Sequence, residues 1–177
     1  MKTETAVFGG GCFWCTEAIF KRLKGVISVM PGYAGGHVDH PTYQGVCSGT
    51  TGHAEVIRIE FDPDVISYGD LLEVFWQAHD PTSLNRQGND IGTQYRSIIL
   101  TTSEVQREKA QAAIKEINEN GQYGMPLVTQ VKPLEAFYEA EQYHQDYYAN
   151  NQNQPYCRMI ISPKISHFVK EFPDKLA

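Results

Sequence analysis

The chain has 177 residues and a net charge of −6, with 41% hydrophobic and 20% charged residues. These values predict one soluble globular domain spanning 1–177, and they argue against a nucleic-acid partner, because phosphate binding needs a basic face. No apolar run approaches the ~20 residues of a bilayer span, and the N-terminus lacks the apolar core of a signal peptide, so we expect a cytoplasmic monomer without membrane contact. Four cysteines are too few for a secreted disulfide scaffold.

The first hundred residues contain elements in the order strand, helix, strand, strand, helix, strand. The predicted elements are a strand at 5–8, a helix from 12 to a cap at Gly25, a strand at 26–30 closed by Pro31-Gly32, a strand at 53–61, a helix capped by Ser67 and Asp70, and a strand at 95–101. This order is typical of ferredoxin-like folds. We therefore expect an α+β fold with one sheet and helices packed on one face.

The remaining chain adds elements to this core. A helix is predicted from the cap at Ser103 to Asn120-Gly121, a strand at 127–131, and a last helix from about Glu135. The tail from Asn150 begins NNQNQP and is predicted to be irregular. The loops at 33–52 and 80–92 exceed ten residues, and loops of that length inside a compact domain usually carry function.

The stretch GGGCFWC at 9–15 suggests reactive chemistry. A cysteine at the start of a helix lies beside the positive end of the helix dipole, which favours the thiolate, the reactive form. The preceding glycines allow a sharp turn and leave the sulfur accessible. The pattern predicts a nucleophile at Cys12, although a buried, inert cysteine fits the same residues equally well.

The C-x-x-C spacing within this stretch has other interpretations. A structural zinc site needs about four ligands, and no second spaced pair follows, so we expect no metal. A thioredoxin-like pair would dock on protein disulfides, for which Phe13 and Trp14 are bulky. A thiol enzyme whose two aromatics form a pocket for an apolar group explains more of the stretch.

Glu55 supplies a second candidate for chemistry. Side chains alternate between faces along a strand, which places Glu55 on the same face as Ile57 and Ile59. A carboxyl on a buried face has a raised pKa and can act as a general acid near neutral pH. The alternative is an exposed residue at the edge of the strand, since the turn GTTGH precedes it.

Linked motifs then resemble one family. GCFWC, GYAGG, PTY, CSGTTGHAE, HDPT and QGNDIGTQYRS occur between residues 8 and 148 in the order found in methionine sulfoxide reductases of the A type. The resemblance implies an α/β plait with a ferredoxin-like β-α-β-β-α-β core, followed here by extra C-terminal helices and the irregular tail. It also implies reduction of the S epimer of methionine sulfoxide, free or in proteins, with no bound cofactor and with thioredoxin as external reductant.

The resemblance also implies roles for residues at matching positions. Cys12 matches the attacking cysteine, and Glu55 matches the proton donor to the sulfoxide oxygen. The implied substrate contacts are an aromatic wall for the methyl group at Phe13 and Trp14, hydroxyls for the oxygen at Tyr43 and Tyr95, and a carboxylate for the substrate's backbone side or its water contacts at Asp90.

The reaction requires a second thiol. Attack leaves Cys12 as a sulfenic acid, which condenses with a thiol to a disulfide that an external dithiol reduces. Cys15 lies one helical turn away, and Cys157 matches the tail position where the family often has a resolving cysteine; both stay candidates, as does a relay that uses both. Cys47 is interpreted as structural, and His53 as a residue that supports the turn before its strand.

Overall fold

The structure, a computed structural model, describes residues 2–177. The strands are β1 (Glu4–Gly9), β2 (Val26–Ala34), β3 (Ala54–Phe61), β4 (Arg86–Gln87), β5 (Asp90–Ile91), β6 (Ile98–Thr101), β7 (Gln130–Pro133) and β8 (Phe137–Glu139). The helices are α1 (Phe13–Phe20), α2 (Tyr43–Cys47), α3 (Tyr68–Ala78), α4 (Glu104–Asn120), α5 (Tyr147–Asn150) and α6 (Ser162–Glu171). Short 3-10 turns lie at Thr93–Tyr95, Gln142–His144 and Pro173–Lys175, and a π-helical turn at Cys157–Ile161 leads into α6.

One six-stranded sheet organises the molecule, in the order β7-β6-β1-β3-β2-β8. Only the β6–β7 pair is parallel among the pairs of this sheet that the structure describes; the others are antiparallel. β4 and β5 form a separate hairpin. The predicted α+β class is confirmed, and within residues 2–177 no helix has the length and apolar character that crossing a bilayer requires.

The alternation of β1 and β3 divides the core between the two faces of the sheet. Phe8 and Ile57 face a large cluster that includes residues of α1, α3, α4 and α6. Val7 and Val56 face a smaller cluster on the other side, against which Phe137 packs. The helices that carry the chemistry therefore pack on the first face.

Two helix boundaries follow from local capping, as the sequence predicts. Ser67 and Asp70 form a reciprocal capping box at the start of α3. The Ser103 hydroxyl accepts a hydrogen bond from the Gln106 amide at the start of α4, and Gly121 ends that helix with φ of +68°.

Two predicted boundaries in the first third are wrong. β2 continues through Pro31 and Gly32, because Gly32 leaves room for the Phe137 ring of β8, which a Cβ there would approach to 2.3 Å. α1 ends at Phe20, well before Gly25, since the backbone that follows pairs with the end of the chain: the Lys24 amide donates to the Lys175 carbonyl at 2.8 Å.

The C-terminal third differs most from expectation. The helix predicted from Glu135 is wrong, because residues 137–139 pair as β8 with the edge of β2. The tail is irregular at residues 151–154, as predicted, but helical from residue 155 to the end of α6, and this part buries Ile161, Ile165 and Phe168 in the main core. These positions recur at helical spacing, so an apolar stripe orders this segment.

Candidate active site

The three glycines before Cys12 allow close packing at the end of β1. Gly11 has φ of +84°, a conformation that favours glycine, and a Cβ on Gly10 would lie 2.8 Å from the His79 ring. Cys12 follows as the N-cap of α1 with extended backbone, and its carbonyl accepts from the Cys15 amide at 3.1 Å. The chain thus turns sharply and places the Cys12 sulfur at the start of the helix.

The prediction of an accessible thiolate at Cys12 is wrong for the resting site. Only 8% of the residue is exposed. Burial raises the pKa of the Cys12 thiol well above its ordinary value, and a hydrogen bond with Cys15 and the charge of Glu55 raise it further. The glycines admit neighbouring side chains rather than solvent, and the dipole of the eight-residue helix α1 does not compensate for the lost hydration of the thiolate.

Glu55 lies on the core face of β3 and is 1% exposed, so the interpretation of a buried carboxyl is confirmed and the edge alternative is wrong. Its Oε1 accepts from the Phe13 amide at 3.1 Å. Its Oε2 is buried and has no hydrogen-bond partner among residues 2–177. Burial, aided by the charges of Asp90 and Cys15, raises the pKa of Glu55 to about 8 against the lowering effect of the Phe13 amide. The group is therefore a protonated acid at neutral pH.

The two aromatics of the motif have different surroundings. Phe13 is buried, with its ring 5.2 Å from the His144 ring. Trp14 is half-buried, stacks on Tyr147 at 3.8 Å, and donates from its indole Nε1 to His144 Nδ1 at 3.0 Å. The orientation of this aromatic wall is fixed by residues of the C-terminal third.

Tyr43 and Tyr95 reach the site from two loops. Tyr43 opens α2, and Tyr95 lies in a 3-10 turn rather than the predicted strand, where its carbonyl accepts from the Gly11 amide at 3.2 Å. Burial, followed by the charge of Glu55, raises the pKa of both phenols. Both hydroxyls remain protonated and can donate hydrogen bonds.

Asp90 lies on the β4–β5 hairpin and joins the site through Tyr156. The Tyr156 hydroxyl donates to Asp90 Oδ2 at 2.7 Å, and its ring packs edge-on against Trp14. A groove of about 1030 Å³ opens beside this pair, with Lys164 and Met159 among its lining residues. The structure thus brings all seven predicted catalytic and substrate-binding residues to one end of the sheet.

The four cysteines are free, and they have different environments. Cys15 is 2% exposed, and its hydrogen bond with Cys12 lowers the pKa of its thiol despite burial. Cys157 is fully buried, and burial raises its pKa. Cys47 is exposed at the end of α2, so the interpretation of Cys47 as a structural cysteine finds no support in its burial.

Sequence reasoning missed two residues that hold the site together. Glu141 accepts from the Tyr43 amide at 2.9 Å and from the Tyr33 hydroxyl at 2.8 Å. His144 is fully buried against the aromatic wall. The signal was the run EQYHQDYY, whose concentration of aromatic and polar side chains is unusual for a surface helix.

His53 supports the loop before β3. Its Nδ1 accepts from the Gly36 amide at 3.0 Å, and its Nε2 lies 2.6 Å from the Val38 carbonyl. Among residues 2–177, no cluster of three or more histidine, cysteine or acidic side chains has an arrangement that could hold a metal ion.

Comparison with known proteins assigns the family. A family model described as "Peptide methionine sulfoxide reductase" matches residues 4–176. The chain belongs to the peptide methionine sulfoxide reductase family. It is 60% identical over 173 residues to peptide methionine sulfoxide reductase MsrA of Saccharolobus solfataricus, which covers 98% of this chain and 97% of that protein. The prediction of an enzyme of this family is confirmed.

Solved structures agree with this assignment. Methionine sulfoxide reductase A of Corynebacterium diphtheriae superposes with a TM-score of 0.81 at 35% identity, covering 84% of this chain and 75% of that one. Reduced Mxr1 of Saccharomyces cerevisiae gives 0.80 at 34%, covering 88% and 90%. Mxr1 has also been solved in complex with Trx2, where the match, at 22% identity and a TM-score of 0.57 over 82% and 85%, shows the fold alone.

Proposed function

We propose that this family member reduces the S epimer of methionine sulfoxide, free and in proteins, to methionine, with Cys12 as nucleophile and Glu55 as general acid. One observation carries the proposal. The buried Glu55 carboxyl is anchored through one oxygen to the first amide of α1, its second oxygen has no partner within residues 2–177, and its charge acts on the Cys12 thiol.

The chemistry uses that free oxygen. A sulfoxide oxygen leaves poorly until it is protonated, and Glu55 delivers the proton as Cys12 attacks the substrate sulfur. The attacking species is the thiolate, and the Cys15 sulfur, already hydrogen-bonded to Cys12, can accept its proton. The attack forms a bond between the Cys12 sulfur and the substrate sulfur, whose protonated oxygen becomes a hydroxyl. The substrate's S–O bond and the new S–S bond then break as the hydroxyl is transferred to the Cys12 sulfur, so methionine leaves and Cys12 becomes a sulfenic acid.

The neighbouring groups suit a methyl sulfoxide. Phe13 and Trp14 offer aromatic surface to the methyl group, since sulfur and its substituents pack favourably on rings. Tyr43 and Tyr95 keep their phenolic protons and can donate to the sulfoxide oxygen. Asp90, at the edge of the groove, is placed for the substrate's backbone side or for water.

Regeneration completes the proposed cycle. The sulfenic acid condenses with Cys15 or Cys157 to an intramolecular disulfide, and an external dithiol reduces it by exchange. Thioredoxin is the proposed reductant, supported by the complex of the yeast relative with Trx2. The proposed role is repair of oxidised proteins by a cytoplasmic monomer that holds no cofactor.

The finer description of the fold is also a proposal. Strands β6, β1, β3 and β2 lie side by side in that order, and each neighbouring pair is antiparallel. With α1 and α3 as the connecting helices, this arrangement supports a ferredoxin-like core within an α/β plait.

Separate epimers test the function. The purified enzyme is incubated with the S or the R sulfoxide of an N-acylated methionine and dithiothreitol, and the sulfide is measured by chromatography. We expect sulfide from the S epimer only. Equal turnover of both epimers would overturn the stereochemical part, and no sulfide from either would overturn the reductase assignment.

A further inference from the structure

Lys164 has an unusual environment for a lysine. It lies in the first turn of α6, half-buried, with its Nζ 4.0 Å from the Cys15 sulfur. Within residues 2–177 Lys164 forms no ion pair with a carboxylate, and the Cys15 sulfur is the one hydrogen-bond partner of its ammonium. Desolvating an ammonium beside a thiol costs free energy unless the thiol carries charge.

We propose, resting on the function proposed above, that Lys164 is a positioning residue for the second half of the cycle: its ammonium holds Cys15 as the thiolate that closes the disulfide with Cys12. Cys15, rather than Cys157, then resolves the sulfenic acid. The basis is the 4.0 Å contact between an ammonium that has no carboxylate partner in the part of the chain that the structure describes and the sulfur of Cys15, a residue that is 2% exposed.

The charged and titratable groups around Cys15 come from five parts of the chain. The hydrogen bond with Cys12 has the largest effect on the Cys15 thiol and lowers its pKa, whereas burial raises it. Lys164 and the Tyr156 hydroxyl lower this pKa further, and Asp90 raises it. The remaining two are Glu55 and Cys157, whose pKa values are raised in part by Cys15. Lys164 is the only cation in this set, so its removal leaves a buried thiolate with no opposite charge.

Cys157 is less suited to the same step. It is fully buried in the π-helical turn, and both burial and the charge of Cys15 raise its pKa. The Cys15 amide already donates to the Cys12 carbonyl at 3.1 Å, whereas Cys157 would have to leave its helical turn. Because Cys12 is an N-cap with extended backbone, the pair is not locked at the ~5–6 Å Cβ spacing of a helix and can approach the ~3.5–4.5 Å of a disulfide.

Closure of the disulfide between Cys12 and Cys15 needs no added reagent. After methionine leaves, Cys15 loses the proton it accepted from Cys12 to solvent and is again a thiolate. Its electron pair attacks the Cys12 sulfur, the S–S bond forms, and the S–O bond of the sulfenic acid breaks. The departing hydroxide takes a proton from solvent and leaves as water; the Cys15 sulfur is oxidised and the Cys12 sulfur reduced.

A single-turnover experiment separates the two half-reactions. Fully reduced enzyme is mixed with one equivalent of S sulfoxide, without dithiol, and methionine and free thiols are followed against pH. For Lys164→Met we expect disulfide formation, followed after methionine has formed, to be about tenfold slower near neutral pH, with its pH profile displaced to higher pH. Lys164→Arg should restore the profile, and Lys170→Met, on the exposed side of the same helix, should not alter it.

Each outcome decides the proposal. Thiol loss in Lys164→Met with the wild-type pH profile would overturn it, as would normal loss of two thiols in Cys15→Ser. Failure to form methionine in every variant and in the wild type would instead overturn the proposed function. Should Lys164→Met unfold, shown by circular dichroism, Lys164→Gln with the same readouts replaces it.

Discussion

The two sides of the start of α1 favour opposite charge states. On the Cys12 side, burial keeps four groups protonated: the Cys12 thiol, the Glu55 carboxyl and the phenols of Tyr43 and Tyr95. On the Cys15 side, Lys164 and the Tyr156 hydroxyl favour a negative sulfur. The Cys12 neighbours come from β3 and two central loops, whereas the Cys15 neighbours come largely from the C-terminal segment. Two cysteines three residues apart can thus serve proton-dependent reduction and thiolate attack separately.

The largest expected effect comes from exchanging one cysteine at a time. Cys12→Ser should abolish methionine formation, because no sulfur attacks the sulfoxide. Cys15→Ser should still form one equivalent of methionine and then stop, because the sulfenic acid is not resolved. Chromatography of methionine under single and multiple turnover distinguishes the two. Normal turnover in Cys12→Ser would show that Cys12 is not the nucleophile.

Replacing Glu55 should slow sulfoxide reduction by Cys12 without preventing the later attack by Cys15. Glu55→Gln keeps the shape but donates no strong acid proton, so methionine formation should fall about 10²- to 10⁴-fold. In the wild type, the same rate should decrease as pH rises through about 8, where Glu55 loses its proton. Rapid-quench kinetics measures both. A control with peroxide, which makes the sulfenic acid directly, should show that Glu55→Gln still closes its disulfide.

Glu55 also links folding to pH. Its pKa is about 8 in the folded protein and 4.5 ordinarily, so the folded state binds the proton more tightly. The contribution of Glu55 to the free energy of unfolding is fully present below pH 4.5 and is lost as the pH rises through about 8. The loss amounts to up to ~5 kcal/mol. Urea unfolding of reduced protein near pH 5 and pH 9 should show the loss in the wild type and a smaller one in Glu55→Gln. Equal losses in both would assign the effect to other groups.

The sequence predicts well those features that local rules determine. Alternation along β3 placed Glu55 in the core, and the residues after Ser67 and Ser103 formed the expected caps. The polar run NNQNQP concealed the helical stripe that follows it, although Ile161 and Ile165 show the spacing.

Features that depend on distant partners could not be predicted in this way. The edge pairing of β8 with β2, the Trp14–His144 hydrogen bond and the contact of Lys164 with Cys15 join residues more than a hundred positions apart. The low exposure of Cys12 has the same origin, because the side chains that cover it come from other parts of the chain.

The aromatic wall offers a smaller test on the Cys12 side. Trp14→Phe keeps an aromatic face for Tyr147 but removes the 3.0 Å hydrogen bond to His144. Loss of one such bond, about 1 kcal/mol, should raise KM for the sulfoxide about fivefold with little change in kcat. Tyr148→Phe, which removes one 2.7 Å hydrogen bond to Ser162 outside the wall and the groove, is the matched control. A change in kcat alone would show that the indole acts on the reacting atoms rather than on substrate placement.

Cys47 should produce the smallest effect. It is exposed at the end of α2 and shares a hydrogen bond with Tyr43, which a serine hydroxyl can also form. Surface changes of this kind usually alter stability by less than about 0.5 kcal/mol. Cys47→Ser should therefore start with one thiol fewer, lose the same two thiols after one equivalent of substrate, and turn over within about twofold of the wild type. Loss of fewer thiols would place Cys47 in the redox cycle. The cycle would then use a third cysteine in addition to Cys12 and Cys15.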